Sequence, residues 1–154
     1  MSKKKTIVIC CSGSFYRHAN EVADQLELSG YSAEVPMTAE DMKKSGDYNI
    51  EAVKSWYGNP DDFHVKTGKM RGHFDKVAAG DAILVINDTK NGQESYIGPN
   101  ALMEIGLAFY LNKPIYILNK VPKLDKIPKL ASVYEEIYGL GAKFLDGDLA
   151  KIKL

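Results

Sequence analysis

The sequence holds few of the residues that mark metal and disulfide proteins, and it has no excess of charge. It has two cysteines, Cys10 and Cys11, and they are adjacent. On a strand they would point to opposite faces, so they form neither a disulfide framework nor a CxxC pair and read as buried thiols. His18, His64 and His73 show no HxxxH or mixed Cys/His spacing, so no metal site is expected. No cofactor is expected either, and the turn at Ser12 to Arg17 is neither GxGxxG nor a Walker loop. Twenty Lys and Arg balance twenty Asp and Glu, which argues against a nucleic acid polymer or a membrane surface as partner, although a small basic patch can still hold a phosphate. The apolar run TIVICC after the MSKKK start is too short for a signal-peptide core or a membrane span, and a cytoplasmic protein is expected. Repeats, low-complexity tracts and linker-like stretches are also missing, so residues 1–154 read as one domain large enough to bury a core.

What is present is an alternation of strands and helices. Residues 6–11 form an apolar first strand, and Ser12, Gly13 and Ser14 make the turn after it. Val22, Leu26 and Leu28, with Ala19 and Ala23, give a helical stripe ending at Gly30; residues 31–35 form a second strand stopped by Pro36. Further strands are expected at 82–86, 114–118 and 142–145, with helices at 40–57, 61–79, within 96–112, near 129–138 and, briefly, at the end. Five strands alternating with helices predict a three-layer α/β/α domain of flavodoxin or Rossmann type, with a parallel sheet in the order 2-1-3-4-5. Residues 37–72 are the least regular part. They read as a lid carrying aromatics over a ligand or as an ordinary helical connection packed by Trp56 and Tyr57.

Between residues 96 and 112 there is one carboxylate, Glu104, and no Lys, Arg, Asp or His. A helix so apolar should lie buried against the sheet, and Glu104 would rise from an apolar wall near the Gly98-Pro99 start. Burial raises the pKa of such a group, while the free N–H groups of the helix start favour its anion. Such a carboxylate can act as a nucleophile towards an electron-poor carbon. Parallel sheets bind ligands at the carboxyl ends of their strands, so the turn at Ser12 to Arg17 should face the same rim as the loop before Glu104. Its backbone N–H groups and Arg17 would suit a phosphate or ribose, with Asn87, Asp88 and Asn100 on the facing rim.

The GS turn after the first strand, Asp81 opening a central strand, and YIGPNALMEIGLAFYLNKPIYIL together resemble the nucleoside 2-deoxyribosyltransferase-like superfamily, which includes deoxynucleoside 5'-monophosphate N-glycosidases. The resemblance covers roughly residues 5–120 and is most specific in MEIGLA and the following KPI strand. It implies that Glu104 is the nucleophile and that Gly13, Ser14 and, more loosely, Arg17 hold a nucleotide phosphate. It also implies a homo-oligomer whose members complete each other's pockets. The sequence departs from the pattern at three places. The family's helical aspartate, eight positions before the strand-opening one, is His73 here. Gly98 stands where a phosphate- or sugar-binding residue often lies, six before the glutamate. Cys10 and Cys11 replace the aromatic that many members stack on the base.

Three readings follow. The first is an enzyme that cleaves or transfers at the N-glycosidic bond of a nucleoside or nucleotide, with Glu104 as nucleophile and either His73, whose ordinary pKa suits proton transfer, or another group handling the proton. The second is a non-catalytic nucleotide-binding or signalling module on the same fold. The third is a flavodoxin-like redox domain, disfavoured because the loops lack an aromatic pair to sandwich a flavin. A physical motive for an oligomer lies in Phe109, Tyr110 and Leu111, since successive helical positions turn by roughly 100° and three large side chains in a row cannot all face the sheet. The alternative is that residues 37–72 or the C-terminal helix cover them within one chain.

Overall fold

A computed structural model describes residues 3–130 and 133–154. The strands are β1 (Thr6–Cys11), β2 (Ser32–Glu34), β3 (Ala82–Ile86), β4 (Ile115–Ile117) and β5 (Lys143–Phe144), and all neighbours pair in parallel in the order β2-β1-β3-β4-β5. The α-helices are α1 (Tyr16–Leu28), α2 (Met37–Ser45), α3 (Phe63–Ala79), α4 (Pro99–Tyr110) and α5 (Tyr134–Gly139). This is the three-layer architecture that the alternation predicts. None of the described helices is long and apolar enough to cross a membrane.

β1 and β3 are continuous apolar runs because both their faces are covered. Ile7, Ile9 and Cys11 point to the side packed by Ala19, Val22 and Leu26 of α1. Val8 and Cys10 point to the other side, with Val77 of α3, Ala101, Ile105 and Ala108 of α4, and Ile137 of α5. The two cysteines thus face opposite layers, and both are buried free thiols. Asp81 lies at the N-terminal edge of the sheet. It accepts hydrogen bonds from the Thr6 amide at 2.8 Å and the Lys5 ammonium at 3.1 Å, which hold its pKa below the usual carboxylate value and tie the start of β1 to that of β3.

The expected helix over 40–57 ends at Ser45. Gly46 follows at φ 75°, a left-handed cap that glycine adopts readily, and residues 50–62 continue as three short 3-10 turns. The helix expected near 129–138 is α5, which begins at Tyr134, and the stretch before it holds a 3-10 segment, Leu124–Lys129; residues 131 and 132 lie outside the described residues, as do residues 1 and 2 of the basic start. The closing helix is one 3-10 turn, Leu149–Lys151. Nor is α4 buried all round. Ala101, Glu104, Ile105 and Ala108 face inward, whereas Phe109 is 52% and Tyr110 81% exposed, so the described residues leave them largely uncovered.

Gly80, where α3 turns into β3, is a close approach: a Cβ there would lie 2.5 Å from Val8 Cγ2 and 3.3 Å from the Lys76 carbonyl oxygen. Gly80→Ala should destabilise the protein by about 1–3 kcal/mol. Gly68→Ala, mid-helix in α3 with open space around it, should stabilise it by up to about 1 kcal/mol. Urea unfolding of the pair checks both signs.

Candidate functional site

β1 and β3 are sheet neighbours whose onward connections run in opposite directions, β1 to β2 and β3 to β4. Such a switch point opens a crevice at the strand ends. A cavity of about 130 Å³ lies there, reached by Cys11 and Gly13 at the end of β1 and by Asn100 and Glu104 of α4. Residues 36–73 supply most of its remaining wall, including Thr38, Ile50, Trp56, Lys69 and His73. The irregular stretch is therefore the cover of the cavity. Ile50 rests on the turn after β1: a Cβ on Gly13 would meet its side chain at 2.6 Å, so glycine is what lets the cover sit this low.

Glu104 is buried, and its carboxylate stands 3.9 Å from His73 Nε2. Of the two opposed effects on its pKa, desolvation wins: burial pushes it up from 4.5 to about 7, and a hydrogen bond from the Cys10 thiol offsets only part of this. The same surroundings raise the Cys10 thiol well above its usual range, burial first and the nearby Glu104 charge second. Cys10, His73 and Glu104 each bring one ligand-type atom within 4.8 Å of the others, a group that sequence spacing does not reveal. The three atoms are close enough to share a metal ion, which would have to displace protons held by both the thiol and the carboxyl.

His73 behaves differently from a free histidine. Burial lowers its pKa from 6.5 to about 4, only partly opposed by the hydrogen bond to Ile9, so it is a neutral imidazole near pH 7. Its Nε2 lies 2.9 Å from the Ile9 carbonyl oxygen, which can only accept, so Nε2 carries the proton and Nδ1 the lone pair. Nδ1 is buried and has no hydrogen-bond partner. His73 therefore does not have the ordinary pKa expected from the sequence. The ring donates from Nε2 and leaves Nδ1 as an unused acceptor.

The other residues singled out in the sequence divide into two sets. Gly13 and Asn100 reach the cavity with Glu104 and His73. Ser14, Arg17, Asn87, Asp88 and Gly98 lie outside its lining. Ser14 is exposed, and the Arg17 guanidinium stacks 4.3 Å over the Tyr48 ring. Asn87 accepts from the Asn119 amide at 2.8 Å and donates to Ser95 Oγ at 3.2 Å. Asp88 is held by His18 at 2.7 Å and by the Asn119 side chain at 2.8 Å, so this pair clamps the loop after β3 to the loop after β4. Gly98 caps α4, with the Tyr96 ring against the place a Cβ would take.

Three lysines that the sequence reading passed over, Lys54, Lys66 and Lys69, also line the cavity. The available signal was spacing, because Lys66, Lys69 and His73 fall at i, i+3 and i+7 and share one face of α3. Compared with known proteins, the chain matches no family model and no curated protein sequence.

A carboxyl kept protonated in the fold to about pH 7 but ionised in the unfolded chain above 4.5 lowers stability as pH rises through that window. Glu104→Gln should therefore be more stable than wild type at pH 8, by on the order of 2 kcal/mol. The gain should vanish near pH 4. Urea unfolding at the two pH values tests this, and an equal gain at both would show that burial does not raise the Glu104 pKa.

Proposed function

We propose that the cavity binds a nucleoside or a nucleoside 5'-monophosphate and that the protein cleaves or transfers at its N-glycosidic bond, with Glu104 as nucleophile. The observation that carries this reading is the single carboxyl in an otherwise apolar helix face, buried at the wall of a cavity at the sheet's switch point. Residues with pKa values moved this far by burial in a cleft concentrate at functional sites. The resemblance of the MEIGLA segment to the nucleoside 2-deoxyribosyltransferase-like superfamily supports the same residue and the same chemistry.

Breaking the bond between C1' and the base nitrogen builds positive charge on C1'. In this reading a Glu104 oxygen forms a bond to C1' while the base leaves with the bonding electron pair and takes a proton from solvent. Water or a second base then attacks C1' and releases Glu104 as the carboxylate. The attacking group sheds its proton to solvent, because His73, with a pKa lowered by burial to about 4, is a weak base near pH 7. Nor does His73 suit donation to the departing base.

A cavity of about 130 Å³ falls below the roughly 300–1,000 Å³ of sites that enclose drug-sized ligands. Loading accordingly requires the cover to lift, and the contact of Ile50 with Gly13 has to break. The reading includes a homo-oligomer, at least a dimer, with Phe109 and Tyr110 as the apolar surface that a second copy would cover.

Release of free base from a panel of nucleosides and nucleoside 5'-monophosphates, with and without an acceptor base, tests the activity and separates hydrolase, transferase and inert binder. Glu104→Gln should lower turnover by at least about a thousandfold while leaving the fold intact. Because the nucleophile is the ionised carboxyl, kcat/KM should rise about tenfold per pH unit below 7 and level off above it. A Glu104→Gln protein with wild-type base release would overturn the assignment. For the oligomer, light scattering at low micromolar concentration should give a multiple of 17.1 kDa, and a monomer mass would end that part of the proposal.

A further inference from the structure

The cavity wall is unbalanced in charge although the chain as a whole is neutral. Lys54, Lys66 and Lys69 line it against a single carboxyl, Glu104. Lys54 is paired with Glu51 at 2.9 Å. Among the described residues no carboxylate lies within ion-pair distance of Lys66 or Lys69. Instead, Lys69 donates to the hydroxyl of buried Thr38 at 2.7 Å, a neutral contact that fixes the ammonium without cancelling its charge. Lys66 stands 5.5 Å over the Trp56 ring, again without neutralisation. Two partly buried lysines that line one cavity without a carboxylate partner are stabilised by an anion between them.

We infer that the ligand of this cavity carries a phosphate monoester and that Lys66 and Lys69 of α3 hold it, in place of the turn after β1. The inference rests on the nucleoside reading of the site and names which nucleosides it takes: those phosphorylated on the sugar. The placement along α3 agrees. His73, beside Glu104, is four residues from Lys69 and seven from Lys66, or about 6 and 10 Å along the helix axis. That is the scale of the reach from a sugar's anomeric carbon to its 5'-phosphate. Arg17, the cation of the β1 turn, is exposed and stacked on Tyr48, away from the lining. The spare charge therefore sits on the cover, and a phosphate seated there would draw the cover down over the sugar.

Calorimetric titration of thymidine, 2'-deoxyadenosine, their 5'-monophosphates and inorganic phosphate into wild type, Lys66→Met, Lys69→Met and Arg17→Ala tests the inference. At least one monophosphate should bind about tenfold or more tighter than its nucleoside. Each lysine variant should lose about tenfold for the monophosphate and little for the nucleoside, whereas Arg17→Ala should leave the ratio as in wild type. Lys69→Arg should keep the preference, which separates loss of charge from loss of fold. Equal binding of nucleoside and monophosphate, a ratio that follows Arg17 and ignores the lysines, binding of inorganic phosphate as tight as the nucleotide, or no binding of any monophosphate would each overturn it. Base release measured in parallel keeps the two proposals apart. Lysine-dependent nucleotide binding without release sinks only the glycosidic reading, and release that is indifferent to the phosphate and the lysines sinks only this one.

Discussion

Placing a carboxyl group in a dry layer against a parallel sheet is unfavourable unless something nearby offsets the loss of water, and the surroundings of Glu104 follow from how little offsets it. Its neighbours are a thiol that is itself held protonated and an imidazole that is held neutral. Neither supplies a countercharge. The group therefore remains a weak acid near neutrality, ready to respond to a ligand that brings positive charge close to it. α4 can carry such a residue because Ala101, Ile105 and Ala108 anchor the helix to the sheet on the same side.

The cover made by residues 36–73 gives the cavity its other character. α2 ends at a left-handed glycine, three 3-10 turns follow, and α3 returns across the opening. This path brings Trp56 and Ile50 in as an apolar ceiling and places lysines on the α3 wall. The cavity is thus apolar and acidic on the α4 side and basic on the side of the cover.

Much of the fold was legible in the sequence, and the reason is periodicity. β1 and β3 run over the residues expected because a strand buried on both faces is an uninterrupted apolar run with breakers at its ends. Helix α4 was legible from its start at Pro99, and Glu104 from its isolation. The helix expected over 40–57 was not, because its end depends on one glycine at φ 75° and the turns beyond it are held by packing with no apolar stripe of their own. Lys66 and Lys69 stayed hidden for a related reason. A charged residue on a helix reads as solvated until the fold shows that its face meets a hole. The rim residues Asn87 and Asp88 sit at a strand end as expected, yet their hydrogen-bonding capacity is taken up by the neighbouring loop. The pKa of Glu104 illustrates the same limit, since two opposed effects were readable and only burial could decide between them.

The paired perturbation of Glu104 and His73 also shapes how the whole molecule responds to acid. Between about pH 4.5 and 6.5 the unfolded chain carries an ionised Glu104 and a protonated His73, whereas the fold keeps the carboxyl protonated and the imidazole neutral; the first difference lowers stability as the pH rises and the second raises it. The two proton counts move in opposite senses and nearly cancel. A buried site with two strongly displaced titrations can thus be almost silent in the bulk proton uptake of unfolding across mildly acid conditions. The site's two titrations surface separately only outside that interval: below about pH 4.5 as His73 takes up its proton, and between about 6.5 and 7 as Glu104 loses its own.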